Sequence, residues 1–508
     1  MSALGTSPGP EIAIIGGGFA GLCMGMLLKR AGIDRFTIFE KGSRLGGTWR
    51  DNAYPGAACD VPSLAYCFSF EPKVDWSRLW APQREILSYI DDCAEKWDLQ
   101  RHVRLGVEIA KAEFDGSAAR WRLQTATGEQ ISADVVVSAV GQLNRPSTPH
   151  VPGIEGFAGT TFHSARWPEG RSLEGERVAV VGNAASAVQI VPAIAPRVRS
   201  LHVFQRSANW LLPKNDRALS SIERSTFLAV PPAARLARWL TWSEQEARFP
   251  LIRKNWLMAR VATWMATRHL EEQVADPVLR RQLTPDYAIG AKRILISDDY
   301  YPALQRPNVK LVTSPLERAT RDGLVTRDGQ SIAVDAIVFA TGFDSTAFLA
   351  PMHVAGSHGR LLADAWRGGA RGYLGISVAG FPNLFLLYGP NTNLGHNSIL
   401  FMLECQSRYV VACLQEMTRR GLASMDVRED VQAEYDLGVQ EALAKTVWCD
   451  VDRSWYRHAS GRITNNWPHS TISYFMRTRR VVLGRYQLHP RSTRSNEISA
   501  APARHDRL

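Results

Sequence analysis

The chain has 508 residues, of which 45% are hydrophobic and 21% charged, a globular composition with room for two or three domains and a sizeable core. A formal charge of +11 suits anionic ligands such as nucleotide phosphates; without a basic run interleaved with aromatics it argues against nucleic acid. No stretch of about 18 uninterrupted apolar residues occurs, which argues against a spanning helix and stable membrane insertion.

The first ten residues are polar and lack the apolar core of a signal peptide, and the seven cysteines form no C-x-x-C pair. Both features point to reduced thiols in the cytoplasm. No Cys/His spacing suggests a metal site. The first periodic element is Ile12-Ala13-Ile14-Ile15, a short β-run. Gly16-Gly17-Gly18-Phe19-Ala20-Gly21 follows as a complete G-x-G-x-x-G, then a helical stretch, then the β-run Phe36-Thr37-Ile38-Phe39 ending at Glu40. Gly16 permits a tight turn, Gly18 lets backbone approach a pyrophosphate, and Gly21 lets helix pack on strand. The helix N-terminus offers free N–H groups to the pyrophosphate. Glu40 stands where a carboxylate accepts the ribose hydroxyl protons. The pattern predicts a dinucleotide site.

Gly42-Ser43-Arg44-Leu45-Gly46-Gly47-Thr48-Trp49 comes next, and its paired glycines fit a backbone curled around a bulky ligand. Asp60, in Tyr54-Pro55-Gly56-Ala57-Ala58-Cys59-Asp60, has two open readings: a partner for a functional cation, or a turn cap. Gln83 to Asp98 reads as an amphipathic helix with Ile86, Leu87, Ile90 and Trp97 on one side. Residues 107–132 read as an antiparallel β-excursion. Asp134 to Gly141 reads as a buried strand, and Asn144-Arg145-Pro146 with Pro149 and Pro152 as a linker.

A second nucleotide unit begins at Arg177-Val178-Ala179-Val180-Val181, followed by Gly182-Asn183-Ala184-Ala185-Ser186-Ala187 and a strand Leu201-His202-Val203-Phe204. Glu40 follows Gly16 by the same interval as Arg206 follows Gly182. A carboxylate there favours a free 2′-hydroxyl and an arginine a 2′-phosphate, so the first site takes FAD or NAD and the second NADP. Asp335 to Gly342 repeats Asp134 to Gly141 as D-x-x-V-x-A-x-G, a second internal repeat. One position departs: Ala184 replaces the glycine that lets backbone approach the pyrophosphate. A shifted or weaker NADPH site, or loss of the site, follows.

Phe157-Ala158-Gly159-Thr160-Thr161-Phe162-His163-Ser164-Ala165-Arg166-Trp167-Pro168 reads F-x-G-x-x-x-H-x-x-x-W-P. Flanked by two nucleotide motifs, it closely resembles the fingerprint of Baeyer–Villiger monooxygenases; Phe157, Gly159, His163, Trp167 and Pro168 carry the match. The resemblance spans almost the whole chain. It implies an α/β fold of two Rossmann-like domains, for FAD and NADP, with a helical insertion. It implies that Lys292 binds the NADP phosphate with Arg206 and Ser207, that Arg293 sits over the flavin, and that Asp60 pairs with Arg293. These two are the expected catalytic residues. Trp455 matches a tryptophan near the cofactor. Gly389 to Ser398 matches a loop between flavin and substrate, with Asn391, His396 and Asn397 as substrate-loop residues. Motifs and resemblance together assign cofactor contacts to Gly16, Gly18, Phe19, Ala20, Gly21, Glu40, Lys41, Gly47, Thr48, Trp49, Asp60, Tyr66, Gly182, Asn183, Ala185, Ser186, Arg206, Ser207, Lys292 and Trp455.

The expected domains are residues 1–145 and 376–488 for FAD, 146–215 and 325–375 for NADPH, a helical subdomain at 216–324, and a disordered basic tail at 489–508. Trp239, Trp242, Trp256 and Trp264 with many arginines fill the helical part, an ordinary subdomain with snorkelling arginines or an interfacial surface. Residues 381–388 read as a last buried strand, and Ile399 to Arg420 as a helix. The activity the resemblance implies is NADPH- and O2-dependent insertion of oxygen next to a ketone carbonyl through a C4a-peroxyflavin, giving an ester or lactone. The expected partners are a small-molecule ketone and O2, with oligomeric state open. Two alternatives stand beside it: N- or S-oxidation, and an FAD-binding protein with impaired NADPH use because of Ala184.

Overall fold

The computed structural model describes residues 9–452 and 454–491. Two five-stranded parallel sheets organise it. The first runs Leu384–Leu386, Val135–Ser138, Ile12–Ile15, Phe36–Glu40, Val103–Leu105. The second runs Val309–Val312, Ser200–Phe204, Arg177–Val181, Ala336–Phe339, Thr160–His163. The central strands are apolar runs without alternation because both faces are covered, one by helices and the other by a small antiparallel sheet. The helices Phe19–Arg30 and Ala185–Ile194 cross from the first to the second strand of each unit. The first sheet takes Leu384–Leu386 from a distant part of the chain, and the second takes Val309–Val312 and Ala336–Phe339.

The repeated D-x-x-V-x-A-x-G has a physical cause. Asp134 accepts the Glu11 N–H at 2.8 Å and Asp335 accepts the Arg177 N–H at 2.8 Å, pinning the start of each first strand to the closing strand. The alanine carbonyls of Ala139 and Ala340 lie under the glycine turns. Gly16 has φ +112° and Gly182 φ +114°, and a Cβ on either would fall on that carbonyl. The two turns are therefore the same structure made twice.

A four-stranded sheet of His353–Ala355, Ile109–Asp115, Arg120–Thr125 and Gln130–Ala133 contains the expected β-excursion and flanks the first unit. The helix Gln83–Lys96 buries Ile86, Tyr89, Ile90 and Cys93, and the helix Ile399–Arg420 ends at Gly421 in the left-handed region. The expected strand at 381–388 is Leu384–Leu386.

Three expected boundaries are corrected. The helical run occupies Ser221–Gln282 rather than 216–324. Val309–Val312 is a strand of the second sheet, and residues 316–333 form a small antiparallel sheet; their short β-branched runs are outweighed in a long window by the arginine-rich helices before them. His353–Ala355 pairs with Lys111–Glu113 of the first unit, ahead of the expected boundary at 375. Residues 489–490 are not tail: Tyr486–Pro490 pairs antiparallel with Leu422–Val427, where backbone pairing outweighs polar side chains. The remainder of the expected tail, from Ser492, lies outside the described residues. All seven cysteines are free thiols, six of them buried. Among the described residues no helix is long and apolar enough to cross a membrane.

Candidate active site

The first glycine turn presents a carboxylate. Glu40, buried at the end of its strand, accepts the Gly17 N–H at 2.8 Å and the Gly42 N–H at 2.7 Å. Arg50 Nη1 lies 2.7 Å from Glu40 Oε1 and Arg50 Nε 2.8 Å from Asp51. Sequence reasoning missed Arg50; its only signal was a lone arginine just after the paired glycines. Lys41 is exposed beside Glu40, and Thr48 opens the short helix Thr48–Asp51 behind Gly47.

Gly18 provides the test of fit for a dinucleotide. A Cβ on Gly16 or Gly21 would collide with backbone, but one on Gly18 would only touch the Gly47 backbone in ordinary contact, at 3.5 Å from its Cα and 3.9 Å from its N. Protein packing therefore explains two of the three glycines and not the middle one. The helix Phe19–Arg30 has no side-chain cap and no acid in its first turn, so its first N–H groups, at Phe19, Ala20 and Gly21, remain available to an anion. These residues fit a bound pyrophosphate. Behind them Phe19 packs edge-on to Tyr66 and Phe68, and Trp49 Nε1 donates to the Tyr66 hydroxyl at 3.1 Å. Burial raises the Tyr66 hydroxyl well above its ordinary value, keeping it neutral.

At the second turn, Ala184 has φ −84° and ψ −162°, against −87° and −165° at Gly18. The alanine causes no backbone strain, and it is exposed. Its methyl group bears on whatever occupies the turn, not on the fold. The following helix, opened by Ala185 and Ser186, again lacks a cap and a first-turn acid. Asn183 Nδ2 donates to the Ser207 carbonyl at 2.7 Å, fixing the segment after the second strand. Lys292 Nζ donates to Ser207 Oγ at 3.3 Å and lies 4.2 Å from the Tyr287 ring centroid. Burial lowers the Lys292 ammonium below its ordinary value; Asp286 opposes this and Arg206 adds to it. Two neighbouring cations beside a hydroxyl fit a phosphate. Tyr287 was not anticipated, since an aromatic under a lysine leaves no spacing signal.

Asp60 and Arg293 meet as an ion pair, so the cation-partner reading of Asp60 prevails over the turn cap. Asp60 raises the Arg293 guanidinium above its ordinary value. The pair joins the two units. Asp60 ends a segment whose Tyr54 and Ala57 are buried in the core of the second unit. Gln189, on the helix Ala185–Ile194, accepts the Tyr54 hydroxyl at 2.9 Å and donates to the Ala58 carbonyl at 2.9 Å. A Cβ on Gly56 would fall on the Gln189 carbonyl. Glycine is required there for the approach, and Gln189 is a positioning residue that sequence reasoning missed.

The loop 389–398 is held from inside. Asn391, buried with φ +56°, donates to the Ile463 carbonyl at 3.0 Å and the Asn466 carbonyl at 3.2 Å. His396 and Asn397 turn toward Glu246 of the helix Pro231–Glu246. The side chains of all three expected substrate-loop residues thus face protein. Buried amides in such a loop satisfy backbone carbonyls first. Tyr388, just before the loop, donates to Asn393 Oδ1 at 2.6 Å, and burial raises its hydroxyl. Trp455 is half-buried, and its carbonyl accepts the Ser345 hydroxyl.

The fingerprint forms an edge strand and a turn of the second sheet. Phe157 lies over Gly159, and Thr160–His163 pairs with Ala336–Phe339. His163 Nδ1 accepts the Ala165 N–H at 3.1 Å; Trp167 packs edge-on to Phe162 at 5.0 Å, ahead of Pro168. Burial lowers His163 below its ordinary value, so it is neutral near pH 7. Arg166 Nη1 lies 3.8 Å from Asp51, linking fingerprint to first turn.

Comparison with known proteins bears on the fold and the family. Residues 13–227 match the family described as pyridine nucleotide-disulphide oxidoreductase. The chain is 43% identical over 508 residues to a Baeyer–Villiger monooxygenase of Pseudomonas aeruginosa, covering 97% of this chain and 96% of that protein. It superimposes on an oxidized steroid monooxygenase bound to NADP with TM-score 0.86 and 30% identity, over 94% of this chain and 99% of that one. A complex of OTEMO with FAD and NADP gives TM-score 0.85 at 27% identity, over 95% and 100% of the two chains. Identity of 43% to the Pseudomonas protein over nearly the full length of both shows that the chain belongs to the Baeyer–Villiger monooxygenases, flavoprotein enzymes that use FAD and NADPH.

Proposed function

We propose that this chain oxidises ketones to esters or lactones with NADPH and O2, and that Arg293 and Asp60 are the groups that bear on the reacting atoms. The observation that carries the assignment is the Asp60–Arg293 ion pair, formed where the two nucleotide units meet. FAD, when bound and reduced by NADPH, supplies the activation of oxygen. Gly18 and the free N–H groups of its helix hold the FAD pyrophosphate, and Glu40 takes the ribose. Lys292, Ser207 and Arg206 hold the 2′-phosphate and give preference for NADPH over NADH. Arg293 presents fixed positive charge toward negative charge developing on oxygen, and Asp60 fixes its direction; no reorganisation is then needed during reaction. Asp60 comes from the FAD unit and Arg293 from the NADP unit, so the pair forms only when the units are docked. A reducing cytoplasm suits seven free thiols.

The test has two steps. Under anaerobic conditions NADPH is expected to bleach the flavin much faster than NADH. A ketone and sulfide panel in air then separates ester formation from sulfoxidation. Bleaching by neither nucleotide contradicts the NADPH reading; sulfoxide without any ester contradicts the ketone reading.

A further inference from the structure

Most of the exposed large apolar side chains among the described residues lie between Ile222 and Val278. The helix Trp256–Gln273 sets several of them in one arrangement. Its inner side is taken up by protein. Ala266, His269 and Leu270 are buried, Met258, Ala259 and Ala262 pack against the cluster of Leu251, Ala266 and Ile289, and His269 Nε2 lies 2.9 Å from the Ser297 carbonyl. Its outer side carries two neighbouring rows at four-residue spacing. One row is Trp256, Arg260, Trp264 and Arg268; the other is Leu257, Val261 and Met265. Every member of both rows is exposed, Trp256 at 68% and Trp264 at 59%. The Arg268 guanidinium lies over the Trp264 ring, 5.4 Å from its centroid. The stripe runs about 18 Å along the helix axis.

Charge along this stretch has one sign. Residues 247–270 contain Arg248, Arg253, Lys254, Arg260 and Arg268 and neither Asp nor Glu. Residues 224–243, just ahead of it, expose Leu236, Trp239 and Leu240 and contain Arg224, Arg235 and Arg238, again without an acid. Arg268 pairs with Glu272 across exposed surface, a bridge of little energy, and Arg260 stands in no ion pair among the described residues. An ordinary protein surface scatters single apolar residues among charges of both signs. Tryptophan alternating with arginine beside an apolar row matches a bilayer interface instead. The apolar row enters the acyl boundary, the indoles sit at the headgroups, and the arginines reach the phosphates. A second copy of the chain fits this face less well. Two stripes crossing antiparallel about Trp264 set Arg260 of one copy against Arg268 of the other, so like charges oppose.

We propose that the outer face of the helix Trp256–Gln273 is a docking surface for a bilayer containing anionic phospholipid. The contact is peripheral and needs no spanning helix. Affinity comes from burying the apolar side chains and from setting arginines against lipid phosphates, so it weakens with added salt and with loss of anionic lipid. The proposal stands on this face alone and does not depend on the ketone reading.

The test is co-sedimentation of the FAD-loaded holoenzyme with vesicles of phosphatidylcholine, alone or with about 30% phosphatidylglycerol. Wild type is expected to partition onto the anionic vesicles about tenfold more than onto the neutral ones, and high salt is expected to release it. The double variant Trp256→Ser, Trp264→Ser keeps the formal charge of +11. It is expected to lose about tenfold of the partition onto anionic vesicles, with melting temperature and anaerobic bleaching by NADPH unchanged. Arg260→Glu, on the same exposed face, is expected to abolish the preference for anionic over neutral vesicles and keeps the test open if the double variant fails to fold. Absence of wild-type binding to anionic vesicles overturns the proposal. So does full binding by the double variant, because net charge alone then suffices. A wild-type dimer in solution that the double variant converts to monomer assigns the face to a second copy and also overturns it. Sedimentation needs no turnover, so absence of ester formation counts against the ketone reading and leaves this test standing.

Discussion

At Ala184 one methyl group separates two nucleotide sites that are otherwise built alike. Its backbone angles match those of Gly18 within a few degrees and the side chain is exposed, so the methyl acts on the ligand alone. Ala184→Gly is expected to leave the melting temperature unchanged and to tighten NADPH several-fold, read as the Kd of NADP+ and the rate of anaerobic bleaching. Arg293→Ala removes the charged fork while Asp60 remains; ester formation is expected to fall on the order of a hundred- to thousandfold, with NADPH bleaching less affected. Retention of full ester formation contradicts the assignment. Motif spacing singled out Glu40 and Arg206 in the sequence, and the family resemblance singled out Lys292 and Arg293. Arg50, Tyr287 and Gln189 were not: Gln189 acts through Tyr54 and Ala58 far along the chain, and no motif spacing marks Arg50 beside Glu40 or Tyr287 beside Lys292.

Among the elements, the glycine turns divide into packing and ligand roles that mutation can separate. Gly16→Ala puts a methyl on the Ala139 carbonyl in a left-handed residue and is expected to lower stability markedly. Gly18→Ala meets no protein atom closer than 3.5 Å and is expected to fold while losing FAD. Equal loss of thermal stability in the two apoproteins contradicts this division. The loop 389–398 carries a pH dependence. Burial raises the Glu246 carboxyl, but His396, Thr471 and Asn397 outweigh it and hold it at about 2, below the ordinary 4.5. A carboxyl depressed in the folded state contributes stability that is complete above the unfolded value and lost as pH falls from about 4.5 toward 2. The melting temperature of wild type is expected to exceed that of Glu246→Gln at pH 6, with the gap closing toward pH 3. The helices and central strands were legible because their periodicity is local. The short strands Val309–Val312, His353–Ala355 and Tyr486–Pro490 were not, since only a distant partner makes them strands.

In the whole molecule, the two nucleotide units are joined by the segment that delivers Asp60. Tyr54 and Ala57 are buried in the second unit's core, while Cys59 is buried in the first. Gly56→Ala is expected to push this segment off the Gln189 carbonyl and loosen the Asp60–Arg293 pair. Flavin reduction by NADPH is then slowed while FAD stays bound; an unchanged reduction rate contradicts the docking role. The two-unit architecture was legible from the repeated motif, but its interface was not, since docking surfaces carry no period. The most direct test of the account is product analysis of the holoenzyme with NADPH, ¹⁸O2 and 4-phenyl-2-butanone. Ester carrying one labelled oxygen, formed in step with NADPH consumption, is the expected result. NADPH consumption that yields only hydrogen peroxide across the ketone panel contradicts the account.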